Sequence, residues 1–484
     1  MVPVRSRRRL AALLALGLSL GAAACGGGGE GATGTDAPVP SVERPGAVAC
    51  PAGATVGMRC AEVAGSGARE ELFVVEVAAP GGAAGPPVLY VGGAAGVATT
   101  ADLPAWRQLA RDLRRDVIVV ERRAAESDSG PTACADVALR RFLDRTWPSD
   151  VLRELYEATV VPCAEAMASG PAVAAAGTAS SVADAVAVVE AFELDAVAVL
   201  GAREGADAAL ALAEARPAVV EAVVLADPLA PPAERLVERS ARADATIERW
   251  LSRCAEVASC GAAEDELRTL VAMARDALDV APQTVPLAAT GGRVPVRVNA
   301  PLLAPALAAG LEAGLADELE PALRAGVDNG DWSLVAQWRL QAADALQARW
   351  PAALAHLCAD VAPRIDTAAW AARRDADLDH AEYYVLDGDV SLCPASATSN
   401  PSSSSTSAAV PVLVVAGELD PAAGGAGAAA FVPRDGGAPW AGVTVAWAGR
   451  GALAAGCART ATAAFLDAPA AVAPGVATCT DPAA

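Results

Sequence analysis

Residues Ala196–Gly205 read AVAVLGAREG. Ala196–Leu200 is a short apolar run without polar alternation, which suits a strand covered on both faces, the habit of a parallel α/β sheet. Gly201-Ala202-Arg203-Glu204-Gly205 makes a turn with glycine at either end, and Ala206–Ala215 continues as a helix that Pro217 stops. Strand, sharp turn and helix follow one another with nothing between them.

Working outward, Leu72–Ala78 (LFVVEVA), Val88–Val91 (VLYV), Asp116–Glu121 (DVIVVE) and Ala222–Ala226 (AVVLA) are further strand candidates, and Ser181–Phe192 reads as a helix. After Pro228 the pattern turns helical. Leu267, Leu270, Val271, Ala274 and Leu278 form one apolar stripe, and Val335, Trp338, Ala342 and Ala345 another. The Ser-rich run Asn400–Ser407 reads as a flexible surface connection. Strand signals then return at Val410–Ala416 (VPVLVVA) and Val443–Ala448 (VTVAWA). A mostly parallel central sheet flanked by helices, interrupted by a helical insertion and then resumed, describes an α/β-hydrolase core carrying a cap. The expected division is a signal peptide at 1–24, a tether at 25–48, core at 49–228, helical cap at 229–407 and core again at 408–484.

Composition narrows the function. A chain of 484 residues can bury one large core or two modest ones, which excludes a small disulfide knot. Every basic residue is arginine, and 37 of them against 58 acidic residues leave a net charge of −21. That balance repels phosphate backbones and argues against a nucleic-acid partner. His356 and His380 are the two histidines, which limits both zinc sites and imidazole catalysis.

Arg5, Arg7, Arg8 and Arg9 precede the apolar stretch Leu10–Ala24, which is short for a membrane span and reads as an export signal. Ala22-Ala23-Ala24-Cys25 followed by four glycines resembles a bacterial lipobox, so Cys25 is expected to carry lipid and anchor the chain to a membrane. The alternative is an ordinary signal cleaved after Ala24. Ten cysteines then remain: Cys50, Cys60, Cys134, Cys163, Cys254, Cys260, Cys358, Cys393, Cys457 and Cys479. In an exported chain they imply five disulfides, with sequential pairing the simplest arrangement, and no CxxC pair speaks for a metal. The expected location is the cell envelope, membrane-anchored or secreted.

In order and spacing, these features resemble the secreted tripeptidyl-aminopeptidase-like (TAP-like) branch of the α/β-hydrolases, from about Cys50 to Cys479. The similarity covers the Gly-Gly loop after a strand, an Arg-bearing loop before Cys134, the elbow at 201–205 and the short Cys254–Cys260 pair. It continues through His356-Leu357-Cys358-Ala359-Asp360, through Gly417-Glu418-Leu419-Asp420-Pro421, and to the closing Cys457 and Cys479. The resemblance implies a serine at the centre of G-x-S-x-G, pointed at substrate by the strand-to-helix turn. Arg203 stands there instead, and a guanidinium offers no nucleophilic lone pair. It also implies an acid after the later strand, where Asp420 is retained, and a histidine in a Gly-His-Gly loop just before a cysteine. Here that loop is Gly449-Arg450-Gly451, and Arg450 is too basic to accept a hydroxyl proton.

Two further loops depart from the family. Relatives carry His-Gly-Gly-Pro-Gly where this chain has Val91-Gly92-Gly93-Ala94-Ala95, and Asp-Gln-Arg-Gly-Thr-Gly where it has Glu121-Arg122-Arg123-Ala124-Ala125-Glu126. Gly92, Gly93 and Glu204 mark the positions whose backbone would build the oxyanion site. Other candidates carry less. Ser180 and Ser181 read as caps of the helix to Phe192 rather than displaced nucleophiles. Asp375, Asp377 and Asp379 have calcium-like spacing, but His380 and Leu386 replace the glycine and glutamate such a loop needs. Trp332, Trp338 and Trp350 fit cap core better than a ligand groove. Gly92–Gly96 lacks the Lys-Ser/Thr of a phosphate loop.

The favoured expectation is a catalytically silent hydrolase-fold protein without cofactor or metal. Arg203 and Arg450 should converge on Asp420 as an ion-pair plug. Its role would be binding, of peptide termini or another small anionic group in the cap cleft. The alternatives are an active serine-type peptidase or esterase with a displaced nucleophile, and a structural envelope protein with a filled cleft.

Overall fold

The computed structural model describes residues 46–51, 53–65, 71–92, 103–121, 139–146, 150–168, 177–230, 235–257, 259–260, 262–289, 291–377, 382–385, 388–393, 410–431, 440–471 and 474–480. The expected signal, Cys25, nearly all of the tether and the Ser-rich run lie outside them. Residues 44–484 form one compact unit.

Twelve strands occur among the described residues: β1 (Ala47–Val48), β2 (Met58–Ala64), β3 (Glu71–Val77), β4 (Val88–Val91), β5 (Val117–Val120), β6 (Val197–Ala202), β7 (Val220–Ala226), β8 (Gln283–Ala289), β9 (Gly292–Val298), β10 (Val412–Gly417), β11 (Trp440–Val445) and β12 (Gly475–Cys479). Ten join one sheet in the order β1-β2-β3-β5-β4-β6-β7-β10-β11-β12. The pairs from β1 to β5 along this order are antiparallel, and every pair from β5–β4 to β11–β12 is parallel. Strands β1, β2 and β12 lack the continuous apolar run that signals the others. Strands at the sheet's ends, or next to one as β2 is, can keep a face open to solvent and need no such run.

Helices α1 (Leu103–Leu113), α2 (Asp150–Ala168), α3 (Thr178–Ala191), α4 (Gly205–Ala215), α5 (Arg239–Cys254), α6 (Glu264–Val280), α7 (Ala300–Glu312), α8 (Ala316–Asn329), α9 (Ser333–His356), α10 (Thr367–Ala376) and α11 (Gly456–Asp467) surround the sheet or build the cap. The two-residue period of the strands divides the core. Val197 and Val199 of β6 pack with Val188 of α3 and Leu212 of α4, while Ala198 and Leu200 pack with Leu113 of α1 and Phe465 of α11. Both faces are therefore sealed by apolar side chains, which is why β6 and β10 carry unbroken apolar runs.

The insertion between β7 and β10 is not wholly helical: β8 and β9 form a hairpin in which Pro286 faces Pro295. Thr290-Gly291-Gly292 between two alternating segments was a usable turn signal for it. The stripe on α6 lies on the buried side, with Leu267, Leu270, Ala274 and Leu278 in the cap core beside Trp332 and Trp338. Trp350 is buried too, in a separate cluster. The α9 stripe splits, however. Val335 and Trp338 are buried, whereas Ala342 and Ala345 are exposed toward a cleft. The wall over the core also draws on residues before the elbow, since Leu139, Tyr156 and Val160 share an apolar cluster with Trp350, Leu357 and Val385. Arg140 pairs with Asp344 of α9 through two bonds of 2.5 and 2.8 Å, holding that segment down.

Disulfides join Cys50–Cys60, Cys254–Cys260, Cys358–Cys393 and Cys457–Cys479, as sequential pairing requires. Cys163 is also disulfide-bonded; Cys134, its sequential neighbour, lies outside the described residues. Such bonds belong to an oxidising compartment. No helix among the described residues is long and apolar enough to cross a membrane. Ser180 and Ser181 do not cap α3. That helix starts at Thr178, and Ser181 sits in its first turn, donating to the Gly177 carbonyl at 3.1 Å.

Candidate functional site

The elbow is shaped by close packing. A Cβ at Gly201 would stand 2.6 Å from the Gly205 carbonyl oxygen and 2.7 Å from the Ala209 Cβ, so only glycine lets β6 run directly under α4. Arg203 then takes φ 54°, a left-handed conformation that costs an L residue about 1–2 kcal/mol. Its amide donates to the Ala226 carbonyl (3.1 Å) and its carbonyl accepts from Ala206 (3.1 Å), which holds the turn. The side chain leaves the C-terminal edge of the sheet toward the cap.

Asp420 opens a short helical turn after β10. Its Oδ1 accepts from the Ala422 amide at 2.9 Å and its Oδ2 from Arg203 Nη1 at 3.2 Å. The expected three-way convergence does not form. Arg450 instead donates to Glu312 Oε1 at 3.0 Å, and Arg203 Nη2 donates to that same oxygen at 3.4 Å. Glu312, the last residue of cap helix α7, therefore bridges the two cations. Its carbonyl also accepts from the Arg450 amide at 2.9 Å, so the carboxylate is carried to the site by the loop after β11. Arg450 is diverted because its loop docks on α7 before its side chain can reach Asp420.

Beneath this network lies Asp227, at the end of β7 with φ 44°. Its Oδ1 accepts from the Gly417 amide (3.2 Å) and its Oδ2 from the amides of Gly451 (2.8 Å) and Ala452 (3.1 Å). One carboxylate thus ties together the loops bearing Asp420 and Arg450.

Charge at the site is strongly coupled. Burial works against Arg203, but Asp420 and Glu312 outweigh it and raise its pKa. Burial pushes Glu204 up, and the arginines Arg203, Arg349 and Arg235 overcome it, holding this carboxylate at about 2. Glu312 is lowered despite its burial by Arg203 and Arg450. Asp420 stays raised by burial even beside Arg203, and Asp227 is raised to about 6 by burial and by Asp420.

His356 is the last residue of α9. Its Nδ1 lies 3.1 Å from Asp360 Oδ2, and its Nε2 lies 2.9 Å from Arg235 Nη1. A guanidinium can only donate, so Nε2 is the acceptor and Nδ1 carries the proton. Arg235 in turn donates to Asp207 at 3.0 Å, and Asp360 accepts from the Thr178 amide (2.7 Å) and hydroxyl (2.8 Å). The imidazole is thus held as a link between the cap and the starts of α3 and α4.

Of these groups, Arg203, Glu204, Arg235, Glu312, His356, Asp420 and Arg450 line a cavity of about 520 Å³ between sheet edge and cap. Among the described residues seven arginines reach it: Arg203 and Arg450, joined by Arg235, Arg239, Arg242, Arg339 and Arg349. They face four carboxylates, Glu204, Glu312, Glu382 and Asp420. Among the described residues lining it, none is serine, threonine or cysteine. Gly92 closes β4, whereas Gly93, the 122–126 loop and His380 lie outside the described residues. Asp377 accepts from the Tyr384 hydroxyl at 3.0 Å, and Asp379 is outside the described set. Sequence reading missed Glu312 and Asp227, neither of which sits in a motif. Asp227 precedes Pro228, where the strand pattern ends, and that boundary was its one signal.

Residues 383–478 match the family model described as TAP-like protein. No curated protein matches the chain. Similar solved structures include an epoxide hydrolase from an endophytic Streptomyces, 15% identical over 88% of this chain and 100% of that one, with a TM-score of 0.37. A proline iminopeptidase from Mycobacterium smegmatis is 15% identical over 85% of this chain and 93% of its own, with a TM-score of 0.34. A serine hydrolase from Cycloclasticus zankles is 11% identical over 86% and 100%, with a TM-score of 0.36.

Proposed function

We propose that this chain, an α/β-hydrolase of the TAP-like family, binds a small anionic ligand in its cap cleft and does not hydrolyse it. The observation that carries this reading is the ion-pair network at the elbow. Acyl transfer by this fold needs an attacking oxygen and a titratable base. Arg203 and Arg450 offer neither, and both are committed to carboxylates, Arg203 to Asp420 and Glu312 and Arg450 to Glu312. The described lining supplies no serine, threonine or cysteine to take over, and Arg235 occupies the one basic nitrogen of His356. The positive excess of the lining, within a chain of net charge −21, supports an anion, such as a peptide carboxy terminus, as the occupant.

Export and a lipid anchor at Cys25 belong to the same proposal. They are supported by the arginine-led apolar leader, the lipobox-like Ala22–Cys25 and the disulfides. The test pairs a fluorophosphonate probe with aminoacyl and ester reporters on the purified, disulfide-bonded chain. No labelling and no turnover are expected. Turnover that vanishes on Asp420→Asn would overturn the proposal, because it would restore a triad role to that carboxylate.

A further inference from the structure

Glu312 is the one charged residue of α7 and stands at its C-terminal end, with no basic residue in the last turn. A carboxylate there faces the negative end of the helix dipole, so the helix itself gives it no reason to stay. The core holds it instead. Its Oε1 accepts from Arg450 Nη1 at 3.0 Å and from Arg203 Nη2 at 3.4 Å, the second longer than a charge-assisted bond prefers.

The cap does not depend on that carboxylate for its seat. The Arg450 amide donates to the Glu312 carbonyl at 2.9 Å, and a Cβ on Gly449 would stand 2.0 Å from the Leu311 carbonyl oxygen, so main chain packs on main chain. The side chains are looser, Glu312 being 32% and Arg450 43% exposed.

Among the described residues, the seven arginines lining the cleft meet its four carboxylates and three more behind them, Asp207, Glu238 and Asp227. With charge balanced in this way, an incoming anion gains by exchange, taking over donors that an internal carboxylate holds. Glu312 is the member placed to yield. Asp420 and Glu204 are 2% and 12% exposed, and Glu382 pairs with an Arg339 that is only 3% exposed.

Resting on the anion-binding reading above, we propose that Glu312 is a built-in stand-in for the ligand. The ligand's carboxylate displaces it from Arg203 and Arg450, and the Glu312 side chain turns to solvent while α7 stays docked.

The test titrates the disulfide-bonded chain at neutral pH with N-acetyl-dialanine, an acid, and with its uncharged amide, using calorimetry. Glu312→Gln removes the competing charge and should tighten the acid about tenfold, as release of one charge-assisted hydrogen bond predicts, with the amide unchanged. Glu312→Asp, which keeps the charge on a shorter arm, should give a smaller gain in the same direction and serves where the glutamine variant does not fold. In the Glu312→Gln background, Arg450→Gln should weaken the acid about tenfold, because the ligand then loses its own donor. Acid that binds the parent chain better than the amide does, yet no more tightly after either change at 312, would defeat the stand-in and leave the anion-binding reading standing. Acid and amide that bind alike in all these proteins, or an acid that binds none of them, would defeat both.

Discussion

Replacing Arg203 with methionine removes the guanidinium but keeps an unbranched side chain and the same left-handed backbone, so the strain of φ 54° cancels between the two proteins. What changes is the environment of Asp420, whose side chain is 2% exposed and whose Oδ2 loses its donor. A buried carboxylate without a cation protonates rather than remain charged. Neutralising a carboxyl of ordinary pKa 3.8 at pH 7 costs about 4 kcal/mol, and at pH 5 under about 2 kcal/mol, since each pH unit is worth about 1.4 kcal/mol. Removing one partner of a buried pair typically costs about 3–5 kcal/mol, which agrees with that ceiling. The variant should therefore lose about 2–4 kcal/mol at pH 7 and regain much of it at pH 5. Urea unfolding followed by circular dichroism at both pH values, with disulfides intact, measures the difference. An equal loss at the two pH values, or one below about 1 kcal/mol at pH 7, would refute the idea that Arg203 holds Asp420 as an ion.

Three further outcomes follow from the same geometry. Asp227, held at about 6 against an ordinary 3.8, favours the folded state fully below pH 3.8 and loses that contribution, about 3 kcal/mol, as pH rises through 6. Glu204, held at about 2 against 4.5, acts in the opposite sense, its contribution present above pH 4.5 and lost as pH falls through 2. Unfolding midpoints should thus fall from pH 4 to pH 7, and Asp227→Asn should flatten that slope; an unchanged slope counts against Asp227. Gly201→Ala should destabilise the chain by about 1–3 kcal/mol in thermal melts, because the new methyl meets the Gly205 carbonyl and Ala209 inside van der Waals contact. Converting Cys358 and Cys393 together to serine opens a 35-residue closure, and urea titration should show a loss of about 4 kcal/mol on the chain-entropy scale.

Much of the scaffold could be read from the chain alone. The strands later found in the middle of the sheet announce themselves because both faces are covered, so they carry unbroken apolar runs, as in Val412–Gly417. The elbow is equally legible, since Gly201 and Gly205 answer a steric demand made by residues within a few positions of them. The hairpin β8–β9 and the edge strands escaped notice because exposure on one face removes that continuous signal.

Residue identity at 203 and 450 was enough to expect permanent cations where this fold would place an attacking oxygen and an imidazole. Which carboxylates receive those cations was decided only when the cap settled on the sheet. Glu312 lies 109 residues from Arg203 and 138 from Arg450, and no local pattern encodes either distance. The same folding step gathers apolar side chains from 139–156 and 385 opposite the arginines of α5 and α9 and so creates the cleft. Hydropathy and steric demands act between neighbours along the chain. Ion pairs and cavities depend on which distant segments the sheet order and the cap packing bring face to face.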